Sequence, residues 1–313
     1  MISSKNFRTL SSVSLFCVDL LILTQLIIAI VLKMLLVNSG CVETNPWPES
    51  KINFEVWNLD SLLTRDKHKI NLIEALNSVN NFDIFGVVES YLTPEINDDQ
   101  LEIHGFSPIP FRADSTSIGR PRGGVCLYYN INLPITNRSN MTDIEETIVA
   151  EIRVKQKKIF FILSYHSPTQ NSSEEETYCK KMQTLFDNIN KEKPSAIILT
   201  GDFNARSPLF WHEETIENSF GKKLSNFMLF NQMDQIIHEP THFPRENIET
   251  CIDLILTDQP NLFVHSSVIQ SPDSNCKHHI INGIINFSIP CPPPYKRKLW
   301  SYSRANKDKI KES

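Results

Sequence analysis

Ala196-Ile197-Ile198-Leu199-Thr200-Gly201-Asp202-Phe203-Asn204 is an apolar run that stops on a glycine, an acid and an amide. Five apolar or β-branched residues closed by glycine read as a short buried strand over 196–200. An acid at the mouth of such a strand is costly unless it faces a solvent-filled cleft or a cation. Gly201-Asp202 also fits an ordinary β-turn, so its flanks must decide between the two.

Outward from this stretch the pattern recurs. Residues 52–59 are β-like and finish on Trp57-Asn58-Leu59-Asp60. Residues 83–88 read as a buried strand meeting Glu89. Gly123-Gly124 opens a strand over 125–129, and residues 148–154 and 159–165 pair about the Lys-rich turn 155–158, ending on Tyr165. Asp253 lies inside Cys251-Ile252-Asp253-Leu254-Ile255-Leu256, where an acid between apolar neighbours wants a partner. Residues 264–269 form another strand, and Cys276-Lys277-His278 precedes the last, 280–287. Helical spacing covers 69–80, 174–190 and 221–230. Strands adjacent in sequence with helices between some of them predict an α+β layered sandwich, its polar residues gathered at strand ends on one rim.

Strand-end acids that converge make a hard-oxygen site suited to Mg²⁺ or Mn²⁺. Such a cation polarises a phosphoryl oxygen and steadies the leaving oxyanion. Asp202 is then the group that activates water, with Asn204 orienting it. His278 donates to the phosphate oxygens where charge builds up, and Asp253 fixes its tautomer and tilt. Each residue also has a plainer reading. Asn58 and Asp60 cap a turn, Glu89 is a surface charge, Tyr165 is a core-edge aromatic, and His278 with His279 is a solvated pair. Arg112, Arg120 and Arg122 flank a loop, placed either to touch a DNA backbone or simply to solvate it.

The 313 residues are 41% hydrophobic and 21% charged, as expected of a globular chain with a real core, and the net charge of −5 does not mark a strongly basic nucleic-acid binder. Seven irregularly spaced cysteines without a CxxC pair argue against a zinc site or a disulfide framework. Asn137-Arg138-Ser139 and Asn171-Ser172-Ser173 match the glycosylation triplet, which matters only on a secretory route.

Taken in order, these pieces resemble the endonuclease/exonuclease/phosphatase superfamily. The Trp57-Asn58-Leu59-Asp60 start is similar to abasic-site endonucleases. GDFNARSPLFW over 201–211, Glu89-Ser90-Tyr91-Leu92, GGVCLY over 123–128 and the exit PPPYKRKLW over 292–300 look more like the endonuclease of non-LTR retrotransposon proteins. The resemblance implies a four-layer α/β/β/α sandwich of the DNase I-like type. It implies a Mg²⁺- or Mn²⁺-dependent DNA endonuclease that nicks its target to prime reverse transcription, with element RNA as a further partner and no stable protein partner. It places Asn58, Asp60 and Glu89 in the metal and phosphate site, Tyr165 at the scissile phosphate, Asp202 as general base with Asn204, and Asp253 paired to His278. Where the family has Ser-Asp-His or Cys-Asp-His, this chain has Cys276-Lys277-His278, which replaces an acid of the metal site by a cation and implies a weakened nuclease. A phosphatase or phospholipase of the same fold, and an inactive retroelement relic, are the rival readings.

Three segments follow. Residues 1–50 are a leader whose apolar run over 20–32 falls short of the roughly 20 clean residues of a membrane span. In it, Cys41-Val42-Glu43-Thr44-Asn45-Pro46-Trp47-Pro48 resembles a 2A-type ribosome-skipping peptide in which Cys41 stands for Asp and Trp47 for Gly, changes that imply lost skipping. Residues 51–289 are the expected endonuclease domain. Residues 290–313 read as a Pro-led basic linker toward a reverse transcriptase. A nuclear or cytoplasmic protein is expected, membrane association is not, and the apolar start leaves a secretory or anchored route open.

Overall fold

In chain order the strands are β1 (Ser50–Asn58), β2 (Ile84–Val88), β3 (Phe111–Ala113), β4 (Val125–Tyr129), β5 (Ile135–Asn137), β6 (Thr147–Val154) and β7 (Lys157–Tyr165). They continue as β8 (Ala196–Asp202), β9 (Asp234–Gln235), β10 (His242–Arg245), β11 (Ile248–Thr250), β12 (Asp253–Thr257), β13 (Phe263–Ile269) and β14 (Ile280–Phe287). The helices are α1 (His68–Asn80), α2 (Ser172–Lys191) and α3 (Ser219–Phe230). This computed structural model describes residues 50–63, 68–116, 122–154 and 156–287. The leader up to residue 49, with its 2A-like motif, the linker 290–313, and Arg120 lie outside the described residues.

Two six-stranded sheets face each other, ordered β13-β14-β1-β2-β4-β3 and β5-β6-β7-β8-β12-β9, and β10-β11 is a separate hairpin. Alternation along β1 explains the layering. Phe54 and Val56 enter the core shared with the second sheet, where Phe54 meets Phe161 edge-on at 5.1 Å. Trp57 and Leu59 point the other way, into a second core with Ile70 and Ile73 of α1. On the far side of the second sheet, α2 and α3 bury Met182, Leu185, Phe186, Leu224 and Met228. The chain is thus a four-layer α/β/β/α sandwich, the expected class.

Two parallel pairings aim their ends at one rim. β1 runs beside β2 with Asn58 opposite Val88, and β7 runs beside β8 with Tyr165 opposite Asp202. β12 runs antiparallel to β8 and begins where β8 ends, Asp253 opposite Asp202. Glycine permits the approach at β8. Gly201 has φ +137, and a Cβ there would lie 1.9 Å from the Ser164 carbonyl oxygen. The expected strand 196–200 therefore runs two residues further, through Asp202 itself. The short elements β3, β5, β9, β10 and β11 have no counterpart in the sequence reading.

Candidate active site

One amide ties the two sheets together at the rim. Asn58 Nδ2 donates to Glu89 Oε1 at 2.9 Å and to Asp202 Oδ2 at 2.8 Å. Asn58 Oδ1 accepts from the Asp60 backbone N–H at 3.1 Å. Asn58 and Asp202 are both 1% exposed, so neither could sit there unbonded at acceptable cost. Asn204 meets Asp202 through its main chain, N to Oδ1 at 2.9 Å, while its side-chain amide donates to the His166 carbonyl at 2.9 Å. The partner expected for Asp202 is present, but through backbone rather than side chain.

Beside Asp202 lies the imidazole–carboxylate pair. His278 Nδ1 donates to Asp253 Oδ2 at 2.9 Å, which leaves Nε2 as the ring's remaining polar edge. Thr241 holds the acid from behind: its hydroxyl donates to Asp253 Oδ2 at 2.8 Å and accepts from the Asp253 and Ile252 amides at 3.0 and 3.2 Å. His242 stacks on His278, ring centroids 4.3 Å apart. One oxygen of Asp202, one of Asp253 and a ring nitrogen of His278 lie within 4.8 Å of one another. Burial opposes a charged His278, but Asp253 at hydrogen-bond distance, with Asp202 and Glu89 beyond it, outweighs burial and raises its pKa to about 9. Burial first, and then Asp253, push Asp202 upward, while His278 pulls it down.

Asp60, Glu89, Tyr165 and Arg122 line one cleft of about 860 Å³, together with Tyr91, Glu145 and Glu146. Tyr165 is 8% exposed, and burial, Glu89 and Asp202 together hold its phenol in the protonated, donating form. Burial raises Glu146 to about 6 against the pull of backbone amides at Thr116 and Gly124. Backbone strain gathers here. Asp60, Ser61, Glu89, Tyr91, Glu146 and Asn204 all have positive φ without being glycine.

Arg112 is a correction. All five of its guanidinium donors are engaged inside the protein, on Asp114, Asp98 and the Ile96 and Thr93 carbonyls at 2.8–2.9 Å. It braces the 93–114 loop and has no donor left for a phosphate. Lys277 is exposed, and its charge is felt by His242. Tyr91, Glu146, Thr241 and His242 join the site without being singled out by the sequence. Tyr91 belongs to the Glu89–Leu92 motif, but nothing in the sequence marks the other three. The glycosylation triplet at Asn171 is a helix cap, accepting from the Ser173 and Glu174 amides. The four described cysteines, Cys126, Cys179, Cys251 and Cys276, are free thiols. No described helix is long and apolar enough to cross a membrane.

The chain matches the endonuclease-reverse transcriptase family over residues 159–282. No curated protein matches it significantly. Among solved structures it is similar to the endonuclease domain of TRAS1, a telomere-specific non-LTR retrotransposon, at 18% identity and TM-score 0.56, covering 75% of this chain and 98% of that one. It is similar to the AP endonuclease LMAP from Leishmania major at 12% identity and TM-score 0.62, covering 76% and 88%. It is also similar to the 3′ phosphatase NExo from Neisseria, bound to a product DNA hairpin, at 15% identity and TM-score 0.53, covering 74% and 98%. The fold shared with these proteins, the rim of strand-end groups and the family match over 159–282 together support the endonuclease/exonuclease/phosphatase superfamily, near the endonucleases of non-LTR retrotransposons.

Proposed function

We propose that the protein is a divalent-cation-dependent phosphodiesterase that nicks DNA, the endonuclease step that primes reverse transcription in a retroelement. The observation that carries this reading is the junction of Glu89, Asn58, Asp202, Asp253 and His278 at one rim, drawn from both sheets. In it, residues 51–289 are the endonuclease domain and residues 290–313 the Pro-rich basic linker that follows in sequence.

The donors fit a hard cation. Asp60 and Glu89 are carboxylates facing the cleft, and the Asn58 carbonyl stands beside them. Asp60, Glu89 and Asn58 would hold Mg²⁺ or Mn²⁺, which when bound offsets charge on the phosphate oxygens. The remaining chemistry belongs to the chain. Asp202 takes the proton of the attacking water, its lone pairs aimed by Asn58 and by the Asn204 amide. Charged His278 donates from Nε2 to a phosphate oxygen, its ring plane fixed by Asp253 on one side and the His242 stack on the other. Tyr165 donates from the neighbouring strand end. Arg122 contributes to the DNA path, and element RNA is a second nucleic-acid partner.

A substrate panel tests the reading. Incubated with Mg²⁺, the protein should convert supercoiled plasmid to open circles faster than it releases phosphate from a 3′-phosphorylated oligonucleotide or headgroup from an inositol phospholipid. Preferential phosphate or headgroup release would move the substrate to the phosphatase or phospholipase branch. No turnover of any of the three would favour the inactive relic.

A further inference from the structure

The Tyr91 hydroxyl occupies an electrostatically unbalanced position. It lies 2.7 Å from Asp60 Oδ1 and 2.7 Å from Glu89 Oε2. A phenol carries one proton, so it can donate to only one of the two carboxylates. The other oxygen contact brings together two lone-pair-bearing atoms, while Glu89 also accepts from Asn58 Nδ2 through its other oxygen at 2.9 Å. A phenol is protonated at neutral pH, so the hydroxyl keeps its single proton. The ring is delivered by a left-handed turn, φ +55 at Tyr91 and +50 at Glu89, pinned by the Tyr91 amide on the Gly123 carbonyl at 2.9 Å and the Ser90 amide on the Gly124 carbonyl at 3.0 Å. Two non-glycine residues within three positions are thus held in a costly conformation, and the result is a hydroxyl set between two acids.

We propose that Tyr91 is a cation surrogate: its hydroxyl holds together the carboxylate oxygens of Asp60 and Glu89 when no divalent cation is bound, and it must yield them when one binds. The inference rests on the reading of Asp60 and Glu89 as cation ligands and adds a competitor to that site. Tyr91 lines the open cleft, so its ring has room to withdraw while its backbone stays pinned. The consequence is a metal affinity set below what the two acids alone would give, because each binding event breaks a hydrogen bond to a charged acceptor. Tyr91 is therefore a positioning residue, acting through Asp60 and Glu89.

Isothermal titration of the full-length protein with Mn²⁺, wild type against Tyr91→Phe, tests this without reference to turnover. Loss of the hydroxyl should tighten Mn²⁺ binding about tenfold, the worth of one hydrogen bond to a charged group. It should also lower the melting temperature of the metal-free protein while leaving the Mn²⁺-saturated protein close to wild type. A second measurement needs no variant: in wild-type protein carrying ring-labelled tyrosine, the Tyr91 NMR signal should move on Mg²⁺ addition and saturate with the binding isotherm. Equal or weaker Mn²⁺ binding by Tyr91→Phe, or a Tyr91 signal indifferent to Mg²⁺, overturns the surrogate role and leaves the cation reading standing. Absence of Mn²⁺ binding in the wild type overturns both.

Discussion

Asp253 is the residue whose role is most legible in the amino-acid sequence. A carboxylate between isoleucine and leucine in an apolar strand has few tolerable environments, and it is found bonded to Thr241 and His278 at 2% exposure. His278 is legible only through the motif around it, since two adjacent histidines carry no periodicity. Thr241, His242 and Glu146 are hidden because their roles depend on approach through space. Arg112 misleads because its acidic partners Asp98 and Asp114 lie in segments of no regular pattern. Asp253→Asn should keep the fold and lower kcat about 10²–10⁴-fold, the usual worth of an oriented proton donor. The pH profile carries the same logic. His278 is raised to about 9, so its charged, donating form is present below that value and lost above it. Nicking by the wild type should therefore fall off on the alkaline side near that value. The fall should move to lower pH in Asp253→Asn, and a profile unchanged by the substitution would remove Asp253 from the role. Lys277→Asp returns an acid beside the site and should lower the Mg²⁺ concentration for half-maximal nicking about tenfold, worth ~1.4 kcal/mol. An unchanged Mg²⁺ requirement would show that exposed Lys277 does not reach the cation.

At the scale of elements, the long ones are readable because their patterns span enough residues to average out. β1, β7, β14 and the three helices fall within two residues or so of the expected spans. The short strands are not readable, since three residues cannot display a period and only pairing with a neighbour defines them. β8 shows what a strand reading leaves out. The strand continues through Gly201 because that residue alone tolerates the approach of the Ser164 carbonyl. Gly201→Ala should cost more than about 3 kcal/mol, since both φ and the 1.9 Å contact forbid a Cβ, and thermal unfolding would measure it. A near-normal melting temperature would mean that β7 and β8 can part at that point. At the start of α2, Asn171 and Glu174 form a capping box, a signature present in the sequence as Asn171-Ser172-Ser173-Glu174.

Across the whole molecule, the two sheets bury a shared apolar core and bring their polar strand ends to one rim, as the strand-end acids of the sequence imply. Among the buried acids that do not serve that rim, Glu55 stands apart from those with an ion-pair partner. Glu55 on β1 is 1% exposed, has an oxygen without a hydrogen-bond partner, and is pushed by burial to about 8. A carboxyl raised in the folded state stabilises below its unfolded value of 4.5, and that contribution is lost as pH rises through about 8. Glu55→Gln should therefore raise stability above that pH by on the order of a few kcal/mol, read as a higher melting temperature, and have little effect at acidic pH. Equal melting temperatures at alkaline pH would mean that Glu55 finds a partner in solution. The proposed catalytic role of the rim turns on Asp202 of β8, which receives Asn58 from the first sheet and neighbours Asp253 of β12 and His278, the residue that leads into β14 of the first sheet. It is tested most directly by single-turnover nicking of supercoiled plasmid by full-length protein and by Asp202→Ala. The expected result is Mg²⁺-dependent open circles from the wild type, abolished by chelation, with the variant slower by about 10³-fold or more. Nicking that survives both Asp202→Ala and chelation would contradict it.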